Sequence, residues 1–399
     1  MRLVEQHIIK KTDSRFEKLD NLCFLSKNLY NSGLYAVRQH FFETKEYLNY
    51  HSVNKRFVDE NQPDYRALPS KVSQQTLKIV EQNFLSFFGL LKRAKKTKEN
   101  KKINIPHYLE KQDGRFVVTY TKQALSKTKL KQGIVKLSGL DVEVKTNKTD
   151  IQQARVIHKG NHIVIEVIYL FDEPPPRENN NRYCSIDLGV SNLATIGSNV
   201  LKPIIINGRP LKSLNHFYNK KLAEYKSELE KTNGKKTSKR IKSLTNTRNN
   251  KVKNYLHKSS RYIIDYLVSN QINTLVIGLN KGWKQEVNMG KVNTQNFVQI
   301  PHSRYIEMLK YKAEMVGINV IVKNESHTSK CSFLDNEGVK HHDKYVGKRV
   351  KRGLFKSSKG RFINADLNGA LNILKKAIGE FQYPIKVCSA PLIVCFDNY

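Results

Sequence analysis

One stretch decides the fold of this chain: Arg182-Tyr-Cys-Ser-Ile-Asp-Leu-Gly-Val-Ser-Asn-Leu-Ala-Thr-Ile-Gly197. Its first half is apolar and rich in strand-forming residues, Gly189 breaks the run, and a second apolar run follows. The pattern predicts two strands joined by a tight turn. Asp187 ends the first strand, where a carboxylate is costly unless it is paired or holds a cation.

A second carboxylate in a comparable setting lies far downstream, in Asn364-Ala-Asp-Leu-Asn-Gly-Ala-Leu-Asn-Ile-Leu374. Apolar residues at helical spacing predict that Asp366 stands in the first turn of an amphipathic helix. A carboxylate on a first strand that faces one on a late helix is how an RNase H-like fold builds a divalent-metal site. Two metal ions in such a site stabilise the attacking and leaving groups during phosphodiester cleavage.

The charge of the chain indicates a polyanionic partner. Lys and Arg number 70 against 35 Asp and Glu, a net charge of +35 over 399 residues, so nucleic acid is the first partner to consider. With 19 Tyr and 17 Phe, the chain can form a sizeable core and stack on bases, unlike a short basic chromatin protein. The sequence shows neither a long apolar span nor a signal peptide, and its five cysteines are scattered. We therefore expect a reducing cytoplasm and no membrane partner.

The N-terminal part predicts a small β-barrel with helices inserted into it. Residues 1–10 and 103–171 contain the alternating runs that are typical of strands, and residues 11–102 predict a helical domain. Ser70 is the predicted N-cap of the second long helix. Residues 172–181, DEPPPRENNN, predict a linker, which places a domain boundary there.

Residues 182–399 predict a single RNase H-like domain. Three strands are followed by helix, strand, helix, strand and a closing helix, which is the order of that fold. A basic helical insertion at about 211–268 follows the third strand. The expected fold class of the whole chain is therefore multidomain α+β.

Four segments of the chain are ordered and spaced as in one known family. They are LPSKVSQ at 68–74, IDLGV with NLAT within 186–195, TSKC at 328–331, and NADLNGALNI at 364–373. Together they resemble TnpB, the transposon-encoded RNA-guided DNA endonuclease related to the type V CRISPR effectors. The resemblance extends over nearly the whole chain.

The resemblance implies an N-terminal wedge barrel with an inserted recognition domain, followed by a RuvC-type nuclease domain. It also implies a bound guide RNA, two Mg²⁺ ions in the site, and double-stranded target DNA that is cleaved next to a short motif. A transposase of the same element is a candidate further partner. The expected location is the prokaryotic cytoplasm, in association with the nucleoid.

The first departure from the family concerns the third carboxylate. Members usually carry a glutamate at the end of the fourth strand, whereas this strand ends at Gly278, which has no side chain to bind metal. The nearest substitute is Glu325 at the end of the fifth strand, because both strands lie on the same side of the sheet. Glu286, in a Gly-flanked loop, is a poorer candidate. We predict Asp187, Glu325 and Asp366 as the catalytic, Mg²⁺-binding carboxylates.

The second departure concerns the zinc ribbon that members often carry before the last helix. At about 328–362 only Cys331 remains, followed by His341, His342 and a basic run. One Cys and two adjacent His do not have the spacing of a tetrahedral zinc site. We predict a degenerate, zinc-free loop that contacts nucleic acid, with a residual Cys-His site as the lesser alternative.

Three basic runs are the predicted contacts to nucleic-acid phosphates. They lie at the end of the second long helix, around the start of the second insertion helix, and in the zinc-ribbon-like loop. An ordinary solvated helix end is an equal alternative for the first run. The residues are Lys92, Arg93, Lys95, Lys96, Lys235, Lys236, Arg240, Lys348, Arg349, Lys351 and Arg352.

These features predict an RNA-guided DNA endonuclease, and two other classes remain open. Gly278 favours a nuclease-inactive, RNA-guided DNA-binding repressor. The charge alone is also compatible with an RNA-binding accessory factor of transposition. The acids that lie beside Asp187 and Asp366 in the folded chain bear most directly on this choice.

Overall fold

The chain divides into two compact units, Met1–Asp172 and Glu173–Tyr399. The division falls where the sequence turns to three consecutive prolines, 174–176, which keep the backbone out of regular structure. The structure is a computed structural model, and the residues it describes are 1–98, 102–233, 237–280, 282, 290–383 and 391–396.

The strands of the first unit arise from runs of β-branched residues. They are β1 (Arg2–Lys10), β2 (Val118–Thr121), β3 (Ile134–Lys136), β4 (Glu143–Lys145), β5 (Ile151–His158) and β6 (His162–Leu170). Among the described residues, four of them form an antiparallel sheet in the order β1-β6-β5-β2, and β3 and β4 form a separate ribbon. Within that part of the chain β1 and β2 are both edge strands, so the closed barrel predicted from the sequence is not shown.

The helices of the first unit pack around two long helices, whose contacts run from Ser26–Thr76 near their starts to Phe41–Phe88 nearer their ends. They are α1 (Phe16–Thr44), α2 (Tyr50–Asp59), α3 (Pro63–Arg66), α4 (Ser70–Thr97) and α5 (Lys127–Lys131). The predicted N-cap is wrong, because Ser70 is the first helical residue of α4 and Pro69 takes the cap position. The carbonyl of Pro69 already accepts the amides of Val72 and Ser73, and no side chain caps the helix.

The second unit is organised around a mixed sheet. Its strands are β7 (Tyr183–Leu188), β8 (Asn192–Ser198), β9 (Ile204–Asn207), β10 (Thr274–Gly278), β11 (Asn319–Lys323), β12 (Lys348–Lys351), β13 (Leu354–Lys356), β14 (Phe362–Asn364) and β15 (Leu392–Val394). In the described residues, six strands take the order β11-β10-β7-β8-β9-β15. The first three strands are antiparallel, and β10 and β11 run parallel to β7. This is the order expected for an RNase H-like sheet, with β15 added at one edge.

The prediction of a loop at about 328–362 is partly wrong, because a small antiparallel sheet forms in its second half. Strands β12, β13 and β14 pair in sequence order, with an irregularity between Arg349 and Lys351. The strands have only three or four residues each, and β12 consists mostly of Lys and Arg, so the sequence pattern did not predict them. This sheet leads directly into the helix that begins at Ala365.

The helices of the second unit cover the sheet. They are α6 (Arg209–Asn233), α7 (Lys239–Ser269), α8 (Lys291–Gln299), α9 (His302–Glu314) and α10 (Ala365–Ile378). The side chain of Asn364 accepts the amides of Asp366 and Leu367 and so caps α10. Helix α10 packs on β7, β8 and β10, which places its first turn at the end of β7. No helix in the described part of the chain has the length and apolar character to cross a membrane.

Candidate metal centre

Asp187 lies near the end of β7 and faces α10. A Cβ atom built on Gly369 of α10 would lie 2.6 Å from Oδ2 of Asp187, closer than real carbon atoms approach. The absence of a side chain at Gly369 therefore lets the carboxylate occupy the surface of the helix. The residue retains partial exposure, while its carboxylate group is surrounded by protein.

The close fit of α10 on the sheet is fixed by small residues. Ser185, two residues before Asp187, donates its hydroxyl to the carbonyl of Ala370 at 2.6 Å. A Cβ atom on Gly197 of β8 would lie 3.3 Å from Cβ of Ala370, so the helix backbone lies almost directly on β8. These contacts bring the first turn of α10, and with it Asp366, to the same end of the sheet as Asp187.

Both carboxylate oxygens of Asp366 accept hydrogen bonds from side chains. Asn192, the first residue of β8, donates to Oδ2 at 2.6 Å. Arg349 of β12 donates to Oδ1 at 2.9 Å and forms an ion pair with it. Sequence reasoning gave Asn192 no role in the site, although it is part of the NLAT segment that carries the family resemblance.

Glu325 occupies the space that a side chain on Gly278 would need. A Cβ atom built on Gly278 would lie 2.7 Å from Oε2 of Glu325 and 2.5 Å from Cδ1 of Ile373. Gly278 ends β10 and pairs with Lys323, the last residue of β11, so Glu325 follows that strand by two residues. The space next to Gly278, the last residue of β10, is thus filled by a carboxylate from the segment that follows β11.

One oxygen of Glu325 is buried without a partner. Asn280 donates a long hydrogen bond of 3.4 Å to Oε1. Among the described residues, Oε2 is buried and has no hydrogen-bond partner. A buried carboxylate oxygen of this kind requires a proton or a cation.

The carboxylates affect one another electrostatically. Burial raises the pKa of Asp187 well above its usual value, the negative charges of Glu325 and Asp366 raise it further, and Arg349 opposes them. Burial also raises the pKa of Glu325 to about 7. A divalent cation would relieve both the desolvation and the repulsion, and carboxylate oxygens are the ligands that Mg²⁺ prefers.

The three carboxylates are not arranged around a common metal position in this structure. Within the part of the chain that the structure describes, no group of three His, Cys, Asp or Glu side chains is arranged to hold a metal ion. Asp366 instead uses both oxygens for Asn192 and Arg349. The donor set therefore fits a divalent cation chemically, and Asp366 would have to exchange Arg349 for it.

The basic run of β12 lies beside these carboxylates. The predicted phosphate-binding residues Lys348, Arg349 and Lys351 of β12, and Arg352 directly after it, are all exposed. Arg349 contacts Asp366, and Arg352 donates to the hydroxyl of Ser191 at 2.8 Å, in the turn that follows Asp187. The structure thus brings two residues predicted only as phosphate contacts to the edge of the carboxylate site.

The other predicted phosphate contacts lie elsewhere. On α4, the side chains of Lys92, Arg93, Lys95 and Lys96 are all exposed. Arg240 is exposed near the start of α7, where it lies 3.9 Å from the ring centre of Tyr225 and pairs with Glu228 at 3.2 Å. Lys235, Lys236 and the alternative ligand Glu286 lie outside the described residues.

The Cys and His residues of the zinc-ribbon-like region are engaged separately. The thiol of the buried Cys331 donates to the carbonyl of Lys340 at 3.5 Å. His342 contacts the carbonyl of Gly338 at 2.7 Å, while the ring of His341 packs edge-on against another histidine, His327. Cys331, His341 and His342 therefore each have a different partner. The absence of zinc stays a prediction.

Comparison with known proteins supports the family resemblance. The OrfB_IS605 family model, described as a probable transposase, matches residues 162–284. The model described as the Cas12f1-like TNB domain matches residues 302–373, which include Glu325, the small sheet and Asp366. The TnpB-like protein ORF457 of Acidianus two-tailed virus is 24% identical over 411 residues, covering 92% of this chain and 85% of the relative.

A solved structure agrees with the fold. The cryo-EM structure of a Cas12f1-sgRNA-target DNA complex is similar with a TM-score of 0.53 and 16% identity, over 90% of this chain and 82% of that chain. The fold is therefore the mixed α+β fold of Cas12f- and TnpB-type effectors. The two family matches and the viral relative support a TnpB-like protein.

Gly278→Ala tests whether Glu325 must stand over residue 278. The added methyl group would displace the ends of the Glu325 and Ile373 side chains, both of which can rotate away. We expect the free energy of unfolding to fall by about 1–3 kcal/mol, while Mn²⁺ affinity falls by about tenfold or more. Calorimetric Mn²⁺ titration and thermal unfolding measure the two effects. Gly89→Ala, with nothing within 4 Å of the new atom, is the control and should leave Mn²⁺ affinity unchanged; unaltered affinity in Gly278→Ala would contradict this geometry.

The raised pKa of Glu325 predicts a pH-dependent stability of the metal-free protein. Its pKa rises from 4.5 to about 7 on folding, so the folded state holds the proton more tightly. This contribution is fully present below pH 4.5 and is lost as the pH rises through about 7. Glu325→Gln should remove its share of the slope, which is at most about 1.4 kcal/mol per pH unit. Unfolding curves measured in a chelator between pH 4.5 and 7 would show equal slopes for both proteins if the assignment were wrong.

Proposed function

We propose that this chain is an RNA-guided DNA endonuclease whose metal ligands are Asp187, Glu325 and Asp366. The observation that carries the proposal is the placement of Glu325 over Gly278. A position that lacks a side chain is filled by a carboxylate from the neighbouring strand, and one of its oxygens is buried without a partner among the described residues. A purely structural strand-end glutamate would extend into solvent, because burial of an uncompensated carboxylate is costly.

The residues of the site would have two roles, metal binding and phosphate binding. Bound Mg²⁺, expected as two ions, would stabilise the charges on the attacking and leaving oxygens of the phosphodiester. Asp187 and Glu325 would supply ligands from the sheet, and Asp366 would supply one from the helix. Arg349, once released from Asp366, would lie beside the site with its guanidinium group free to bind a phosphate oxygen.

The partners proposed are a guide RNA and double-stranded target DNA. The solved structure with the same fold is a complex with sgRNA and target DNA, and the net charge of +35 here suits a polyanionic partner. The protein would hold the guide–target heteroduplex through its backbone, with the exposed Lys and Arg of α4, α7 and β12 as phosphate contacts. Residues 1–10 and 103–171 would serve as the wedge, 11–102 as the recognition domain, and the second unit as the RuvC-type nuclease. Association with a transposon and its transposase belongs to the same proposal.

A nuclease-inactive, RNA-guided repressor is the second candidate. Gly278 cannot bind metal, and Arg349 neutralises Asp366 in the way that a metal ion otherwise would. Both functions need the same RNA and DNA partners, so only a measurement of cleavage separates them.

Single substitutions in the guide-loaded protein test the endonuclease. Asp187→Ala, Glu325→Ala and Asp366→Ala should each lower Mg²⁺-dependent cleavage of guide-matched DNA by about a thousandfold, because loss of a ligand removes several kcal/mol of charge stabilisation. Guided DNA binding should persist. Glu307→Ala is the control, since this side chain on α9 is largely exposed, and it should cut at the wild-type rate.

The wild-type result decides between the classes. Guided binding without any cleavage would establish the repressor and refute the endonuclease. Cleavage that survives Glu325→Ala would refute the assignment of the third ligand and make Glu286 the next residue to test. RNA binding without guided DNA recognition would leave the accessory factor.

A further inference from the structure

Glu325 lies two residues beyond the end of β11, so the hydrogen bonds between β10 and β11 do not fix its position. Other contacts must hold it. Strand β11 ends at Lys323, and Glu325 opens a turn. The carbonyl of Glu325 accepts the amide of Thr328 at 3.3 Å and its hydroxyl at 2.8 Å. The position of the carboxylate is therefore set by where this turn is held.

The turn is held by a stripe of polar side chains on α10. Asn372, which is fully buried, donates to the carbonyl of Thr328 at 2.9 Å and to that of Cys331 at 2.8 Å. One helical turn earlier, Asn368 donates to the same Cys331 carbonyl at 2.8 Å. One turn later, Lys376 donates to the carbonyl of Ser326 at 3.2 Å.

The spacing of the stripe explains its effect. Asn368, Asn372 and Lys376 are four residues apart, so they share one face of α10 and meet the turn along its length. The same helix carries Asp366 in its first turn. The stripe thus joins the segment that carries Glu325 to the element that carries Asp366.

We propose that Asn372 is a positioning residue that sets Glu325 relative to Asp366. The inference rests on the proposed function, because it concerns the geometry of that same metal centre. In a chain with a strand-four glutamate, the pairing of β10 with β7 would fix the ligand. Here the ligand has moved beyond the end of β11, and the two hydrogen bonds of Asn372 replace the sheet as its anchor.

A matched pair of variants tests the role against simple loss of stability. Asn372→Ala removes two buried hydrogen bonds. Asn273→Ala removes two partly buried hydrogen bonds at the opposite end of β10, where Asn273 is buried and donates to the Glu178 carbonyl and the Asn179 side chain at 3.1 and 2.9 Å. Both variants should therefore lose similar thermal stability.

Mn²⁺ binding to the guide-loaded protein, measured by calorimetry, is the deciding measurement. Asn372→Ala should weaken binding by about tenfold or more, and amide exchange at residues 324–328 should become faster. Asn273→Ala should change neither. Lys376→Met, which removes only the outer contact to Ser326, should fold normally and show a smaller loss of Mn²⁺ affinity.

The outcomes separate this inference from the proposed function. If wild-type protein binds Mn²⁺ and Glu325→Ala weakens binding while Asn372→Ala and Lys376→Met do not, the positioning role is wrong and the metal site stands. Equal losses in Asn372→Ala and Asn273→Ala would also overturn it, since the effect would then be general destabilisation. If wild-type protein binds no Mn²⁺, the metal site itself fails, and the inference fails with it.

Discussion

The direct contact of α10 with the sheet is the constraint on which the rest of the site depends. Gly369 on the helix and Gly197 on β8 remove the side chains that would otherwise hold the two layers apart. The Ser185–Ala370 hydrogen bond then fixes how the helix lies on β7. Because the layers are this close, a carboxylate on β7 and one on the helix are brought to the same end of the sheet. The third position, at Gly278, is filled by Ile373 and Glu325 together.

The second constraint is the balance of charge among the carboxylates, and the small sheet β12–β14 contributes a positive charge to it through Arg349. Buried carboxylates that repel one another destabilise the folded state unless they bind protons or cations. In the described residues, Arg349 provides a positive charge to Asp366. Burial raises the pKa of both Asp187 and Glu325, which favours the protonated form of each. The same arrangement suits a site that would exchange a guanidinium group and protons for metal ions when they bind.

The sequence predicts those parts of the structure that depend on local pattern. Apolar periodicity was enough for the strands and the long helices of the second unit, and their RNase H-like succession then predicted the sheet order. The carboxyl ends of parallel strands explain why Glu325 could be chosen once Gly278 was excluded. Contacts that depend on how distant segments cross were not predictable. Arg349 reaches Asp366 through a short, highly charged strand with little β-propensity, and Asn372 reaches Thr328 across 44 residues of sequence. The closed barrel is not shown in the described residues and stays a prediction, because alternation predicts strands without specifying which edges pair.

The central claim is that the third carboxylate has moved from the fourth strand to the fifth while remaining in the same metal site. Anomalous diffraction from crystals of the guide-loaded protein grown with Mn²⁺ tests it most directly. The account predicts anomalous peaks within about 2.5 Å of carboxylate oxygens of Asp187, Glu325 and Asp366, with Arg349 displaced from Asp366. Peaks bound by Asp187 and Asp366 but not by Glu325, or no peak at this end of the sheet, would contradict it.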